Sequence, residues 1–170
     1  MRLFVAIQLN QSVKQLAKDV QDTFKQFGVR GNYTSQENLH ITLAFVGEYG
    51  DPNAVMDALK SVRFAPFSVT IDEVGSFDEL WWMGPSGSED LNKLAGKVRH
   101  ALSDAGIDFD KKKFKPHVTI LRKPVYGKEG RMVHMSIEPE SLLADRISLM
   151  SSTRGKNGMI YKEIGSVSAQ

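Results

Sequence analysis

A chain of 170 residues, 41% apolar and 25% charged, has the composition of one globular domain of ordinary size, or of two small lobes sharing a core. Its net charge of +2 excludes a uniformly basic nucleic-acid binder, so any attraction for phosphate must come from local clustering. With no cysteine, disulfides, thiolate nucleophiles and cysteine-held metals are excluded, and a reducing cytoplasm is the compatible location.

The N-terminal run from Met1 to Leu9 is apolar but short, and Asn10, Gln11, Lys14 and Lys18 follow it without a small-residue cleavage site. Residues 3–9 therefore read as a buried first strand and not as a signal peptide. Val13, Leu16, Ala17, Val20, Phe24 and Phe27 recur at spacings of three and four, which predicts a helix over residues 12–27 with Gly28 as its stop. A polar connector, 31–38, leads into a strand over 39–46. Asp51 before Pro52 marks the start of a short helix carrying Val55, Met56 and Leu59. Strands are predicted at 67–74 and 80–83, joined by a turn containing Gly75 and Phe77 to Glu79. A second long helix over 88–105 carries Leu91, Leu94, Val98 and Leu102, and Gly106 ends it. After the lysine-rich 110–116 come a strand over 117–121, an exposed loop over 123–132, and two late strands at 146–151 and 159–164 flanking a turn at 154–158. No apolar run approaches membrane-spanning length. No linker separates independent domains, so residues 1–170 are expected to form one domain of two intertwined lobes. The order runs strand, long helix and histidine-bearing strand, then long helix, histidine-bearing strand and further strands, which points to two related lobes.

Two of the four histidines open matching tetrapeptides, His40-Ile41-Thr42-Leu43 and His117-Val118-Thr119-Ile120. They lie 77 positions apart in a chain of 170 residues with six threonines, which points to one half-site supplied twice. Strand side chains alternate faces. His40 and Thr42 therefore share one face and Ile41 and Leu43 the other; His117 and Thr119 likewise oppose Val118 and Ile120. The apolar pairs can anchor each strand in a core while the polar pairs are presented on a rigid element. Two facing imidazoles suit displacement at phosphorus. One, neutral, takes a proton from the attacking water or hydroxyl, and the other, protonated, gives one to the leaving oxygen. An ordinary pKa near 6.5 populates both forms near neutrality. Threonine hydroxyls can donate to the non-bridging phosphate oxygens. This scheme requires no metal and no cofactor.

The paired His-x-Thr-x motifs resemble those of the 2H phosphoesterase superfamily. Arg2-Leu3-Phe4-Val5-Ala6-Ile7, the stretch from Glu37 to Glu48, and Phe114-Lys115-Pro116-His117-Val118-Thr119-Ile120-Leu121-Arg122 narrow the resemblance to the RNA 2′,3′-cyclic phosphodiesterases, also called 2′-5′ RNA ligase-like proteins. The resemblance implies an α+β, bilobal, pseudo-two-fold fold: two antiparallel sheets face a central cleft, with helices outside. It implies opening of 2′,3′-cyclic phosphate ends of RNA, or of cyclic nucleotides, to a 2′-phosphate, and reverse 2′-5′ ligation. His40 is then the general acid and His117 the general base, although pseudo-symmetry makes the roles interchangeable on the sequence alone. Thr42, Thr119 and Arg122 would hold the phosphate. A cytoplasmic monomer with no membrane association is expected. The alternative is a non-catalytic module on the same fold that binds RNA ends or nucleotides.

His100 and His134 lack the threonine and read as structural or surface residues. Glu37 and Glu48 flank the first motif, but nothing matches them near the second, so a zinc site is not expected. The lysines of 111–115 read either as a solvated loop or as an electrostatic funnel for a polyanion. Arg122, five residues after His117, has the wrong strand parity for the cleft unless the strand bulges after Leu121. Phe45, by the same parity, is expected in the core. Of Trp81 and Trp82 one belongs to the core, with burial favoured for the other. The resemblance implies an aromatic near the cleft at Tyr33, while Tyr161 is expected to be structural.

Overall fold

The computed structural model describes residues 1–77, 79–130 and 135–170. Among these, three helices and ten strands make an α+β fold in which every strand pairing is antiparallel. The strands are β1 (Arg2–Gln8), β2 (Arg30–Tyr33), β3 (His40–Glu48), β4 (Phe67–Ile71), β5 (Glu73–Phe77), β6 (Leu80–Gly84), β7 (Val118–Val125), β8 (Glu140–Ala144), β9 (Arg146–Gly155) and β10 (Gly158–Ser168). The helices are α1 (Gln11–Gln26), α2 (Pro52–Leu59) and α3 (Glu89–Asp104). A single 3-10 turn, Gln36–Asn38, precedes β3.

The long helices begin and end where local chemistry dictates. Asn10 accepts from the Val13 amide at the start of α1, and the Ser88 hydroxyl accepts from the Leu91 amide at the start of α3. Each stops at a glycine in the left-handed region, Gly28 at φ 76° and Gly106 at φ 71°. The next residue, Val29 or Ile107, then donates its amide back to the carbonyl of Phe24 or Leu102 and buries its side chain, the Schellman termination.

Two four-stranded sheets run in the order β10-β9-β1-β3 and β2-β7-β6-β5, with β4 and β8 as a separate ribbon. Within them β9-β1-β3 corresponds to β5-β6-β7. In each triple the central strand leads through a long helix to the strand of a His-x-Thr-x motif. The helices cross over: α1 packs against β7 and β8, and α3 against β3. Both sheets therefore share one core, which takes Leu3, Val5 and Ile7 from β1, Ile41 and Leu43 from β3, and Val118, Ile120 and Leu121 from β7. The opposite face of β1 carries Phe4 and Ala6, which cluster with Met150.

The strand expected over 67–74 is two strands in different sheets, β4 and β5, divided at Asp72, whose carboxylate accepts from the Ser86 amide and hydroxyl. Gly75 and Phe77 lie in β5 and not in a turn, because Gly75 accepts the indole of Trp82 directly over its backbone. Lys123 to Val125 extend β7 where a loop was expected, and the expected loop's residues 131–132 lie outside the described residues, as does His134. β2 and β8 were not foreseen: Arg30-Gly31-Asn32-Tyr33 carries no apolar alternation, and it is recruited by backbone pairing with β7.

Candidate active site

Each motif strand carries an extra residue at the same place. Along β3, Val5 of β1 faces Ala44 while Ala6 faces Thr42, so Leu43 bulges. Along β7, Trp81 of β6 faces Leu121 while Trp82 faces Thr119, so Ile120 bulges. A bulge resets alternation by one residue. Leu43 and Ala44 are accordingly both buried, as are Ile120 and Leu121. The fifth residue after each histidine, Phe45 and Arg122, then returns to the face of the histidine and threonine. The bulge that Arg122 required exists, one residue earlier than expected. Lys123, immediately after, takes φ 52°, a conformation L-residues rarely adopt. Phe45 is a correction: it is 47% exposed and faces the cleft.

The four motif side chains and Arg122 meet between the sheets. His40, Thr42, Phe45, His117, Thr119, Arg122 and Tyr161 line one narrow cavity of about 70 Å³, which Thr34 and Asn38 complete. It lies between two larger basins. One, of about 720 Å³, adjoins His117 and takes in Phe77, Phe114, Arg99, Lys112, Lys113, Lys115 and Lys123, against the acids Glu79 and Asp110. The other, of about 660 Å³, adjoins His40 and is lined by Arg2, Phe4, Glu48, Arg154 and Tyr161 among others. Phe45 and Arg122 border all three.

Both imidazoles are held in the same way. Nδ1 of His40 lies 2.7 Å from the Asn38 carbonyl, and Nδ1 of His117 lies 2.7 Å from the Lys115 carbonyl, in each case two residues upstream. A carbonyl only accepts, so each Nδ1 carries its proton and the neutral ring keeps its lone pair on Nε2. Nε2 of His40 is 2.8 Å from the Thr42 hydroxyl, which donates to it in this tautomer. Aromatic rings fix the ring planes. Phe4 lies against His40 at 4.9 Å and Tyr161 meets it edge-on at 5.3 Å. Phe77 meets His117 edge-on at 5.2 Å and stacks on Trp82. The Lys115 ammonium sits 4.7 Å above the Phe77 ring.

Burial pushes both histidine pKa values below the ordinary 6.5. The carbonyl bonds act in the opposite direction. The Arg122 charge adds to the lowering at both rings, together with His117 at His40 and Lys115 at His117. Both groups are therefore neutral near pH 7, and an anion between them would favour protonation.

Tyr161 is a cleft residue and not merely structural. Tyr33 is not among the residues lining the cleft; its hydroxyl donates to the Val29 carbonyl. Trp81 packs on Phe24 in the core, and Trp82 is also buried, beneath Phe77. His100 is exposed on α3 beside Asp104. Among the described residues no three histidine or carboxylate side chains gather as a metal site would need. Phe4 and Phe77 were missed. The unbroken apolar run Leu3 to Ile7 of β1 hides its period of two, and Phe77 lies where the sequence predicts a turn.

Residues 13–156 match the model of the 2′-5′ RNA ligase superfamily. A Thermotoga maritima RNA 2′,3′-cyclic phosphodiesterase is 33% identical, over 95% of this chain and 92% of its own. One from Archaeoglobus fulgidus is 35% identical, over 96% and 98% respectively. A phosphoesterase of known crystal structure superposes with a TM-score of 0.86 over 99% of this chain and 97% of its own, at 23% identity. The chain belongs to the 2′-5′ RNA ligase superfamily of 2H phosphoesterases. No helix among the described residues is long and apolar enough to cross a membrane.

Proposed function

We propose that the protein is a metal-independent phosphodiesterase that opens 2′,3′-cyclic phosphates at RNA ends or on nucleotides, leaving a 2′-phosphate. One observation carries this reading: two imidazoles, each with Nδ1 tied to a carbonyl, border a single cavity narrow enough for a phosphate and flanked by two basins large enough for nucleosides. His117 Nε2 takes the proton of the attacking water. As the P–O3′ bond breaks, His40 gives its Nε2 proton to the leaving oxygen, exchanging its bond with Thr42 for one to O3′. Thr42, Thr119 and Arg122 donate to the non-bridging oxygens as their charge grows. The substrate's own negative charge supplies the proton affinity that burial removes from His40. Assignment of His40 as acid rests on the family resemblance.

In-line attack needs water on the His117 side and the cyclic nucleoside on the His40 side. A 5′-hydroxyl RNA end in the lysine-lined basin beside His117 could replace the water, which is reverse 2′-5′ ligation. RNA is accordingly the proposed partner, and the protein acts as a monomer of one domain in which neither half is active alone.

The test is incubation with a nucleoside 2′,3′-cyclic phosphate in the presence of chelator, with the product identified by 31P NMR. Formation of the 2′-monophosphate is expected. Tight binding with no turnover would leave the non-catalytic RNA-end module instead.

A further inference from the structure

Each bulge is gripped by a polar side chain from the helix that packs beneath it. On α1, the Gln21 amide nitrogen donates to the carbonyl of Ile120, the bulged residue of β7, at 3.0 Å, and to that of Thr34 at 2.9 Å. On α3, Arg99 Nε donates to the carbonyl of Leu43, the bulged residue of β3, at 3.2 Å, and its guanidinium donates again to the Lys112 carbonyl at 2.7 Å. The two side chains occupy equivalent places, each ten residues past the first residue of its helix. Each holds the bulge of one motif and also the backbone leading into the other, since Thr34 precedes His40 by six residues and Lys112 precedes His117 by five. Gln21 is 5% exposed and borders none of the three cavities.

We infer that Gln21 and Arg99 are positioning residues forming a crossed pair of clamps, and that Gln21 turns Arg122 into the phosphate cavity by holding the Ile120 bulge. The physical reason is that a bulge puts its extra residue out of register with the neighbouring strand. A buried carbonyl needs a donor, and the regular register, in which Arg122 would face the core side, is the competing arrangement. The Ile120 carbonyl receives two donors, the Gln21 amide and the Thr34 backbone amide at 3.1 Å. With both in place the bulged register is the satisfied one. Arg99 also borders the basin beside His117, so Gln21 is the cleaner probe.

The kinetic part of the inference rests on the phosphodiesterase reading. Gln21→Met keeps the volume and removes the donors. With a nucleoside 2′,3′-cyclic phosphate, this variant should lose about tenfold in kcat/KM in the native background and less than about twofold when Arg122 is already alanine, the signature of residues acting as one unit. Equal losses in both backgrounds would make Gln21 merely structural and overturn the proposal. A crystal structure of Gln21→Met gives a readout independent of catalysis: a shifted β7 register with Arg122 withdrawn is expected, and an unchanged bulge overturns the inference. If the wild-type protein turns over no cyclic phosphate, the proposed activity fails while the structural test still decides the clamp. Gln21→Leu, which also lacks a polar donor, serves as second variant. Failure of both variants to fold, read by circular dichroism, would also overturn the positioning role.

Discussion

His40 and His117 sit in near-identical local settings, yet their neighbours differ in ways that bear on chemistry. Phe4 and Tyr161 enclose His40, whereas Lys115 and Phe77 flank His117. Two positions past each bulged residue β3 carries the apolar Phe45 and β7 the cationic Arg122, so the pseudo-symmetric frame holds an asymmetric charge. Alanine at either histidine should lower kcat by roughly 100-fold or more, with the double variant little worse than one single; wild-type-like turnover in either would refute the two-histidine scheme. The pH dependence follows from the direction of the shifts. Both pKa values lie below 6.5, so the doubly neutral form dominates above that value, and the reactive form with one shared proton accumulates only as pH falls. A bell-shaped profile of kcat/KM with its maximum on the acid side of 6.5 is expected. In Arg122→Ala, which removes a charge that lowers both values, the residual profile should move to higher pH. A maximum above neutrality in the wild type, or no movement in the variant, would contradict this account.

Among the elements, β7 carries the decisive irregularities. Its bulge at Ile120 and the left-handed Lys123 bracket Arg122. β2 closes against this stretch through Gly31, where an added Cβ would meet the Leu121 side chain at 2.8 Å, the Arg122 carbonyl at 2.9 Å and the Lys123 carbonyl at 3.0 Å. Two of these three atoms are backbone and cannot turn away. Gly31→Ala should therefore destabilise the fold by about 1–3 kcal/mol, lowering Tm by several degrees in a thermal melt. It should reduce turnover beyond the loss of folded protein, because β7 must shift at Arg122. An unchanged Tm would show that β2 is held less closely than described. The helices, by contrast, were legible in advance. Their cap side chains, glycine stops and apolar stripes are local signals, and α1 and α3 fall within one residue of the predicted bounds.

On the scale of the whole molecule, a net charge of +2 conceals a concentration of cations in one basin, where Arg99, Lys112, Lys113, Lys115 and Lys123 outnumber Glu79 and Asp110. If an RNA strand lies there, KM for an oligonucleotide ending in a cyclic phosphate should rise steeply with salt while that for a mononucleotide changes little. Replacing Lys112 and Lys113 by Gln should weaken the oligonucleotide and flatten its salt slope by roughly one to two phosphates' worth. Identical salt slopes for the two substrates would place the RNA elsewhere. The amino-acid sequence by itself determined the two motifs, the face shared by each histidine and its threonine, and the helices between them, because these depend on periodicity and caps within a few residues. Only the tertiary structure decided that Phe45, Arg122 and Tyr161 belong to the cleft. Strand parity is a local rule, but a bulge is set by the partner strand and by the group that satisfies its carbonyl. At Ile120 the donors are the Thr34 backbone amide and the side-chain amide of Gln21, the latter 99 positions away in the chain.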